Sequence, residues 1–177
     1  FSDDMKREFA KNHVALRPYT EIENAVGKLS GRKKMLIDPE RLSYALYKLI
    51  PDETEMIEKE NPEIIMKSVK NDIETEHIRR AHLKDAAAHT KFIYWLKENI
   101  GKTEITERSA SARLEEFRKE QDGYLGPSFE PISAYYEHGA IVHYSASKES
   151  DARLEKGHFL LTDTGGHYKD GSTDITR

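Results

Sequence analysis

The sequence predicts an α+β protein in which a short α/β layer precedes two helices and a run of antiparallel strands. Three observations lead to this class. Residues 34–69 alternate short apolar runs with helix-start signals, and residues 71–99 and 106–119 carry apolar side chains at helical spacing without Gly or Pro. After Gly123 the spacing becomes strand-like and glycine-rich turns separate the runs. No internal repeat or low-complexity tract interrupts this order.

Composition excludes several classes of protein. The 177 residues include 28 Lys+Arg and 32 Asp+Glu, and the formal net charge of −4 argues against a nucleic-acid groove. No apolar run is long enough to span a membrane, and residues 1–13 lack the apolar core of a signal peptide. The absence of Cys excludes disulfide scaffolds and thiolate metal sites. We therefore expect a cytoplasmic protein with neither a nucleic-acid nor a membrane partner.

The α/β layer is predicted from three short segments. Lys34–Asp38 is an apolar run suited to a strand. Asp38-Pro39-Glu40 predicts a helix start, because Asp caps free N–H groups and Pro fits the first helical position, and Pro51 ends this helix. Asn61-Pro62-Glu63 repeats the same signal before a shorter helix. The basic run at residues 31–34 is interpreted as a solvated patch.

Two longer helices follow. Asn71 and Glu74 have the spacing of a capping box at the start of a helix that reaches Asn99, and Gly101 ends it. The second helix begins after Thr103 or Thr106 and closes at residues 121–123. The apolar stripe of the first helix comprises Ile78, Ala81, Ala88, Phe92, Trp95, Leu96 and Ile100.

The strand-like region contains the residues that can carry chemistry. Strands are predicted at Ser128–Tyr135, Ala140–Ser145 and His158–Asp163. Asp163 and Asp174 each end a short strand, and a glycine-rich turn joins them. If the strands pair as a hairpin, the two carboxylates converge, and oxygen ligands suit hard divalent cations. On spacing alone, the commoner interpretation is that acidic residues beside glycines form turns.

Three segments together resemble the Xaa-Pro aminopeptidase (aminopeptidase P) branch of the creatinase/prolidase/methionine aminopeptidase superfamily. They are Ser128–Ser133, Gly139–Tyr144 and Thr162–Arg177. Upstream, Lys67–Asp85 and Leu114–Arg118 resemble the entry and second helix of that family's catalytic domain, and residues 33–70 are similar to the end of the creatinase N-terminal-type domain before it.

The resemblance implies a partial pita-bread catalytic fold over residues 71–177, preceded over residues 1–70 by the C-terminal part of a creatinase N-terminal-type α/β domain. It implies two divalent metal ions, commonly manganese (Mn²⁺). Asp163 takes the position of a ligand to one metal, Asp174 that of the carboxylate bridging both, and His143 that of a catalytic histidine beside the substrate. One His and two Glu ligands are expected beyond Arg177, so the chain is expected to be truncated.

The activity implied is release of the N-terminal residue from peptides with proline in second position, through a hydroxide activated by both metals. We expect the 177-residue chain alone to be inactive and to bind manganese weakly, and the full-length protein to be a homodimer. Three alternatives stay open: prolidase (Xaa-Pro dipeptidase), methionine aminopeptidase, or a pita-bread module that binds proteins without catalysis.

Other polar residues are interpreted more simply. The helical histidines His77, His82 and His89 are expected to be surface or packing residues. Glu115, Glu116, Arg118 and Lys119 are interpreted as a charged helix face. His138 departs from the small polar or amide residue common in the family, and either adds an imidazole near the pocket or has no role there.

Overall fold

The computed structural model describes residues 1–29 and 34–177, and its contacts divide the chain into two compact units, Phe1–Val69 and Lys70–Arg177. The basic run predicted to be solvated at residues 31–34 lies outside the described residues except for Lys34. In the described part of the chain, no helix is both long and apolar enough to cross a bilayer.

The first unit is a small α/β layer. Its helices are α1 (Asp3–Lys11), α2 (Ile22–Gly27), α3 (Tyr44–Tyr47) and α4 (Pro62–Ser68), and a 3₁₀ turn covers Tyr19–Glu21. Strands β1 (Lys34–Ile37) and β2 (Glu55–Glu58) pair in parallel. The strand after Lys34 and the helix capped by Asn61 are as predicted, whereas α1 and α2 lie in a stretch without a clear sequence pattern.

The predicted helix start at Pro39 is wrong. The carboxylate of Asp38 accepts a hydrogen bond from the backbone N–H of Asn61 at 2.9 Å and from Arg41 at 3.0 Å. Its other oxygen accepts from the backbone N–H of Glu40 at 3.2 Å, as a cap does, but residues 39–42 form only a turn, and α3 starts after Ser43. The Asn61 bond also holds the pKa of Asp38 below its ordinary value.

The second unit opens with the two predicted helices. Helix α5 (Asp72–Asn99) begins with the Asn71–Glu74 capping box, and Gly101 follows it with a φ of +79°. Helix α6 (Glu107–Lys119) begins at Thr106, the second of the two predicted caps. Between them lies the apolar core, made of Ala88, Phe92, Ile105, Ala110, Leu114, Phe117 and Leu154.

The strands of the second unit form two antiparallel three-stranded sheets. One contains β3 (Tyr124–Pro127), β6 (Gly166–Tyr168) and β7 (Gly171–Ser172), in the order β3-β6-β7. The other contains β4 (Ile132–Tyr135), β5 (Leu160–Thr164) and β8 (Ile175–Thr176), in the order β4-β5-β8.

The strand predicted at Ala140–Ser145 is wrong. A 3₁₀ turn covers Tyr136–Ala140 and bends follow it, with His143 in the left-handed region at a φ of 56°. Tyr144 is buried because its hydroxyl bonds to a carboxylate of α6, and this inward bond replaces strand pairing. The predicted strand at Ser128–Tyr135 is shortened to β4.

Candidate metal centre

Asp163 lies on β5, the central strand of its sheet. It stands opposite Ile132 of β4 and opposite Thr176 of β8. One carboxylate oxygen, Oδ1, accepts a hydrogen bond from the Thr176 hydroxyl at 2.8 Å. The second oxygen has no hydrogen-bond partner among the described residues, so Asp163 keeps a free coordination position.

Asp174 is exposed and directly precedes β8. In the ladder, Asp163 opposes Thr176 and Thr164 opposes Ile175. One further pair in this register sets Asp174 opposite Gly165. Side chains of opposed residues share a face, and diagonal neighbours lie about 7–8 Å apart. The ladder itself ends at Thr164 and Ile175, so Asp174 lies one residue beyond it. Continued by one pair, the register would set both carboxylates on one face of the hairpin, as diagonal neighbours.

The charges on this face are unbalanced. Among the residues that the structure describes, neither Asp163 nor Asp174 forms an ion pair with Lys, Arg or His. Two carboxylates that share a face repel unless a cation lies between them. Oxygen donors with this net charge suit a hard divalent cation such as Mn²⁺, so the donor set fits the expected metal.

The donor set is also small. Within residues 1–29 and 34–177, no group of three or more His, Cys, Asp or Glu side chains is arranged to hold a metal ion. Two carboxylates alone do not complete the coordination sphere of a divalent cation. Asp163 and Asp174 could therefore form only part of a metal site.

A close backbone approach explains the Gly-Gly pair between the two aspartates. A Cβ at Gly165 would collide with the carbonyl oxygen of Thr173 and with Oγ of Ser128. That space is used by hydrogen bonds: Ser128 N–H donates to the Gly165 carbonyl at 3.1 Å, and Ser128 Oγ donates to the Thr173 carbonyl at 2.8 Å. Glycine is thus required here for space, a constraint beyond the turn signal in the sequence.

Behind the hairpin lies a buried ion pair that sequence reasoning missed. Arg118, interpreted as part of a charged surface, is only 2% exposed, and Asp85 is fully buried. Arg118 donates to both carboxylate oxygens of Asp85, at 2.7 and 3.2 Å, and to the Thr164 hydroxyl at 2.9 Å. The Thr173 and Tyr168 hydroxyls also donate to Asp85. The available signal was position, since Asp85 follows Ala81 by four residues on the apolar stripe.

A second buried carboxylate, Glu107, organises the turn after β4. Its oxygens accept hydrogen bonds from the backbone N–H groups of Tyr135 at 2.6 Å and Ala152 at 3.1 Å, and from the Tyr144 hydroxyl at 2.9 Å. His138 Nδ1 lies 2.8 Å from Glu107 Oε1, and its ring stacks on Tyr144 at 4.5 Å between centroids. His138, which departs from the residue common in the family, therefore contributes contacts that stabilise this turn.

His143 lies on the same turn as His138 and Tyr144, but its surroundings are solvent. Its side chain is exposed, and it forms no hydrogen bond with the described residues. The turn begins at the end of β4, after Tyr135. Tyr135 pairs with Leu160 of β5, which lies three residues before Asp163. The structure thus brings Asp163 and Asp174 onto one surface and leaves His143 accessible on a turn whose neighbours are anchored by Glu107.

Burial also sets the protonation of the groups around these anchors. Burial raises the pKa of Tyr144 and of Tyr168, so both hydroxyls stay protonated and can donate to their carboxylates. His89 is buried on α5, where neither ring nitrogen has a hydrogen-bond partner among the described residues. Desolvation, with Arg118 nearby, lowers the pKa of His89.

Comparison with known proteins connects these features to a family. Residues 76–177 match metallopeptidase family M24, and residues 1–74 match the creatinase/prolidase N-terminal domain. Xaa-Pro aminopeptidase 2 of Sus scrofa is 39% identical over 165 residues, which are 93% of this chain and 24% of that protein. Xaa-Pro aminopeptidase 1 of Dictyostelium discoideum is 34% identical over 180 residues, 99% of this chain and 28% of that protein. The chain thus spans about a quarter of these relatives.

Solved structures agree on the fold. The X-prolyl aminopeptidase of Caenorhabditis elegans, described as a cytosolic enzyme with a di-nuclear active site, superposes with a TM-score of 0.90 at 29% identity. That match covers 100% of this chain and 30% of the other. The Xaa-Pro dipeptidase of Bacillus anthracis superposes with a TM-score of 0.68 at 25% identity, covering 88% of this chain and 42% of the other. The predicted α+β, pita-bread class is confirmed.

Proposed function

Because this chain belongs to metallopeptidase family M24, we propose that it is part of a metal-dependent exopeptidase that releases the N-terminal residue from peptides with proline in second position. The curated relatives named Xaa-Pro aminopeptidase, at 34–39% identity, support this specificity. The di-nuclear active site of the C. elegans neighbour supports two metal ions, which we propose to be Mn²⁺.

The proposed ligands are Asp163 for one metal and Asp174 as the carboxylate that bridges both. The observation that supports this proposal is the register of β5 and β8, because its continuation by one pair would bring two carboxylates without ion-pair partners to one face of the hairpin. When bound, two such cations lower the pKa of a water molecule and polarise the peptide carbonyl. Asp163 and Asp174 hold the charge that attracts them.

The proposed role of His143 is to bind substrate and move a proton during cleavage. Its side chain is exposed, and an imidazole carries two ring nitrogens that can form hydrogen bonds with a substrate. The anchored neighbours of His143, Tyr144 and His138, support a turn that keeps one conformation.

The proposed domain organisation has residues 1–70 as the end of a creatinase N-terminal-type domain and residues 71–177 as the first half of the catalytic domain. The two family matches and the compact units support a division near residue 70. The location we propose is the cytoplasm, as for the C. elegans neighbour, with a peptide substrate, no nucleic-acid or membrane partner, and a homodimer as the full-length form.

A prolidase is the second candidate, favoured by the similarity to the B. anthracis Xaa-Pro dipeptidase. The two functions differ in substrate length, since a prolidase cleaves a dipeptide and an aminopeptidase needs a longer chain. A module without catalysis is disfavoured, because both carboxylates and His143 are present.

The test is a substrate panel of Xaa-Pro dipeptides, Xaa-Pro-Xaa tripeptides and Met-peptides, supplied with Mn²⁺. We expect the full-length protein to cleave the tripeptides, and Asp163→Asn or Asp174→Asn to lower kcat/KM by more than about 100-fold. Asp122→Asn, which changes an exposed acid of the α6–β3 turn, is the matched control.

The 177-residue chain alone is expected to show no turnover. Appreciable Xaa-Pro cleavage by this chain, lost in Asp174→Asn, would contradict the view that it holds only part of the site. Dipeptide cleavage alone would replace the aminopeptidase proposal with a prolidase.

A further inference from the structure

We infer that the buried Asp85–Arg118 ion pair is a positioning pair, which holds Asp163 and Asp174 at the separation that metal binding needs. This inference rests on the proposed function for the two ligands. It concerns residues of α5 and α6 that touch neither substrate nor metal.

On β5, the residue next to Asp163 is hydrogen-bonded to the ion pair. Thr164 directly follows Asp163, and neighbouring residues of a strand point to opposite faces. The Thr164 hydroxyl accepts from Arg118 at 2.9 Å, behind the sheet. This bond fixes the face that Thr164 occupies, and therefore the opposite face for Asp163.

On the segment before β8, the residue next to Asp174 is hydrogen-bonded to the same ion pair. Thr173 directly precedes Asp174, and its hydroxyl donates to Asp85. The same hydroxyl accepts from the backbone N–H of Gly166 at 2.9 Å, and Thr173 N–H donates to the Gly166 carbonyl at 2.9 Å. Each proposed ligand thus has one neighbour tied to the same ion pair.

Charge explains why such an anchor is needed. Asp163 and Asp174 repel each other on their shared face when no cation is bound. Strand β8 has only two residues and gives little resistance to separation. Asp85 and Arg118 lie on two long helices and are almost completely buried, so bonds to this pair oppose separation from the far side.

The chain contains a matched control on the same strand. Thr162 precedes Asp163 as Thr164 follows it, and both threonines are buried. Among the described residues, Thr162 forms no hydrogen bond with the ion pair, and its hydroxyl donates to the carbonyl of Arg177, at 3.4 Å. Thr162→Val and Thr164→Val therefore make the same chemical change on either side of one ligand.

The first experiment measures amide hydrogen exchange in the metal-free chain. Thr164→Val is expected to speed exchange at the Thr173 amide about fivefold to tenfold, because the anchor on β5 is lost, and Thr164→Ser is expected to restore the original rate. Thr162→Val is expected to leave that amide unchanged. Equal exchange in the two valine variants would overturn the inference, whatever the metal data show.

The second experiment adds Mn²⁺ alone to the isotope-labelled chain and follows paramagnetic broadening of the NMR signals of residues 163 and 174. The unaltered chain is expected to show both signals broadened at the same Mn²⁺ concentration. Thr164→Val and Thr173→Val are expected to require about tenfold more Mn²⁺, while Thr162→Val and Thr173→Ser match the unaltered chain.

The two failures can be told apart. If Asp163→Asn and Asp174→Asn leave the broadening unchanged, the proposed metal ligands are wrong. If these variants abolish the broadening but Thr164→Val and Thr173→Val behave as Thr162→Val does, the proposed function stands and the positioning pair is refuted.

Discussion

The two compact units differ in how many of their residues are buried and in which kinds of side chain these are. In the described part of Phe1–Val69, three residues are buried: Ile37, Ile50 and Thr54. In Lys70–Arg177 the buried set includes an apolar core and three charged side chains, Asp85, Glu107 and Arg118. Buried charge is costly unless every partner is present, so it occurs in the unit where side chains must be held in place.

The first unit lacks comparable cover. Its parallel pair of strands leaves Leu36 and Met56 exposed. Ile65 and Met66 of α4 are exposed too, as is Val69 directly after this helix. Parallel strands are normally covered on both faces. The second unit therefore has its own apolar core, whereas only three of the described residues in the first unit are buried.

The largest expected effect is loss of the buried ion pair. Arg118→Met leaves the Asp85 carboxylate buried without its cation, and we expect the second unit to lose about 3–5 kcal/mol of unfolding free energy. Hydrogen exchange resolved by region, combined with denaturant titration, measures each unit separately. The first unit is expected to be unchanged.

The control for that experiment is Lys91→Met, which removes a half-exposed partner of Glu120. It is expected to cost less than about 1 kcal/mol. Equal costs for the two variants would show that the buried pair is no more important than a surface pair.

A smaller effect is expected from adding one methyl group to each unit. Gly165→Ala forces a Cβ onto the Thr173 carbonyl, and we expect a loss of about 2–3 kcal/mol in the second unit. Gly27→Ala, at the end of α2, meets no atom within 4 Å and is expected to stabilise the first unit by about 0.5–1 kcal/mol. Thermal unfolding of both variants tests the pair, and a neutral Gly165→Ala would refute the close approach.

The stability of the two units is also expected to depend on pH, in a different pH range for each unit. The pKa of His89 is lowered in the folded chain, so below about pH 6.5 the unfolded state binds a proton that the folded state does not. Stability of the second unit should therefore fall as the pH drops from 6.5 towards the folded pKa. The charged groups that act on His89 are Arg118 and Arg177, which lower its pKa, and Asp85, which raises it.

The contribution of Asp38 in the first unit is also lost as the pH falls, but at a lower pH than that of His89. The folded pKa of Asp38 is also lowered, so the carboxylate stabilises the fold above its ordinary pKa of 3.8, and this contribution is lost as the pH falls through the folded value. Unfolding measured between pH 7 and 3 in His89→Leu is expected to lack the decline that begins near pH 6.5. A decline of unchanged size would assign it to another group.

The smallest effect is expected for the cross-strand pair of the first unit. Lys34 Nζ lies 3.1 Å from Glu55 between β1 and β2, and both side chains are about 60% exposed, at 63% and 60%. A double-mutant cycle with Lys34→Ala and Glu55→Ala should report a coupling below about 1 kcal/mol, reduced further by salt. A larger coupling would show that this layer, too, depends on charge.

Much of the fold was predictable because its signals are local. Three predicted helix starts are present in the structure, because a cap satisfies N–H groups within one turn. They are Asn61 with Pro62, Asn71 with Glu74, and Thr106. The pairing of the segments that carry Asp163 and Asp174 was expected from the glycine-rich turn.

The errors share a cause, which is a partner far away in sequence. Asp38 was expected to cap a helix, and it does accept from the N–H of Glu40, but its other carboxylate oxygen bonds to Asn61. Ala140–Ser145 was expected to be a strand, but Tyr144 turns inward to Glu107. Arg118 was expected at the surface, but it pairs with Asp85 across 33 residues of sequence.

By itself, then, the sequence determined where the main helices begin, which class of fold results, and that the segments carrying Asp163 and Asp174 form one hairpin, because caps, periodicity and turns act over a few residues. Only the tertiary structure decided which charged side chains become buried and what they hold. Burying Asp85, Glu107 or Arg118 is favourable only when several donors and acceptors from distant segments converge, and no local pattern encodes that convergence.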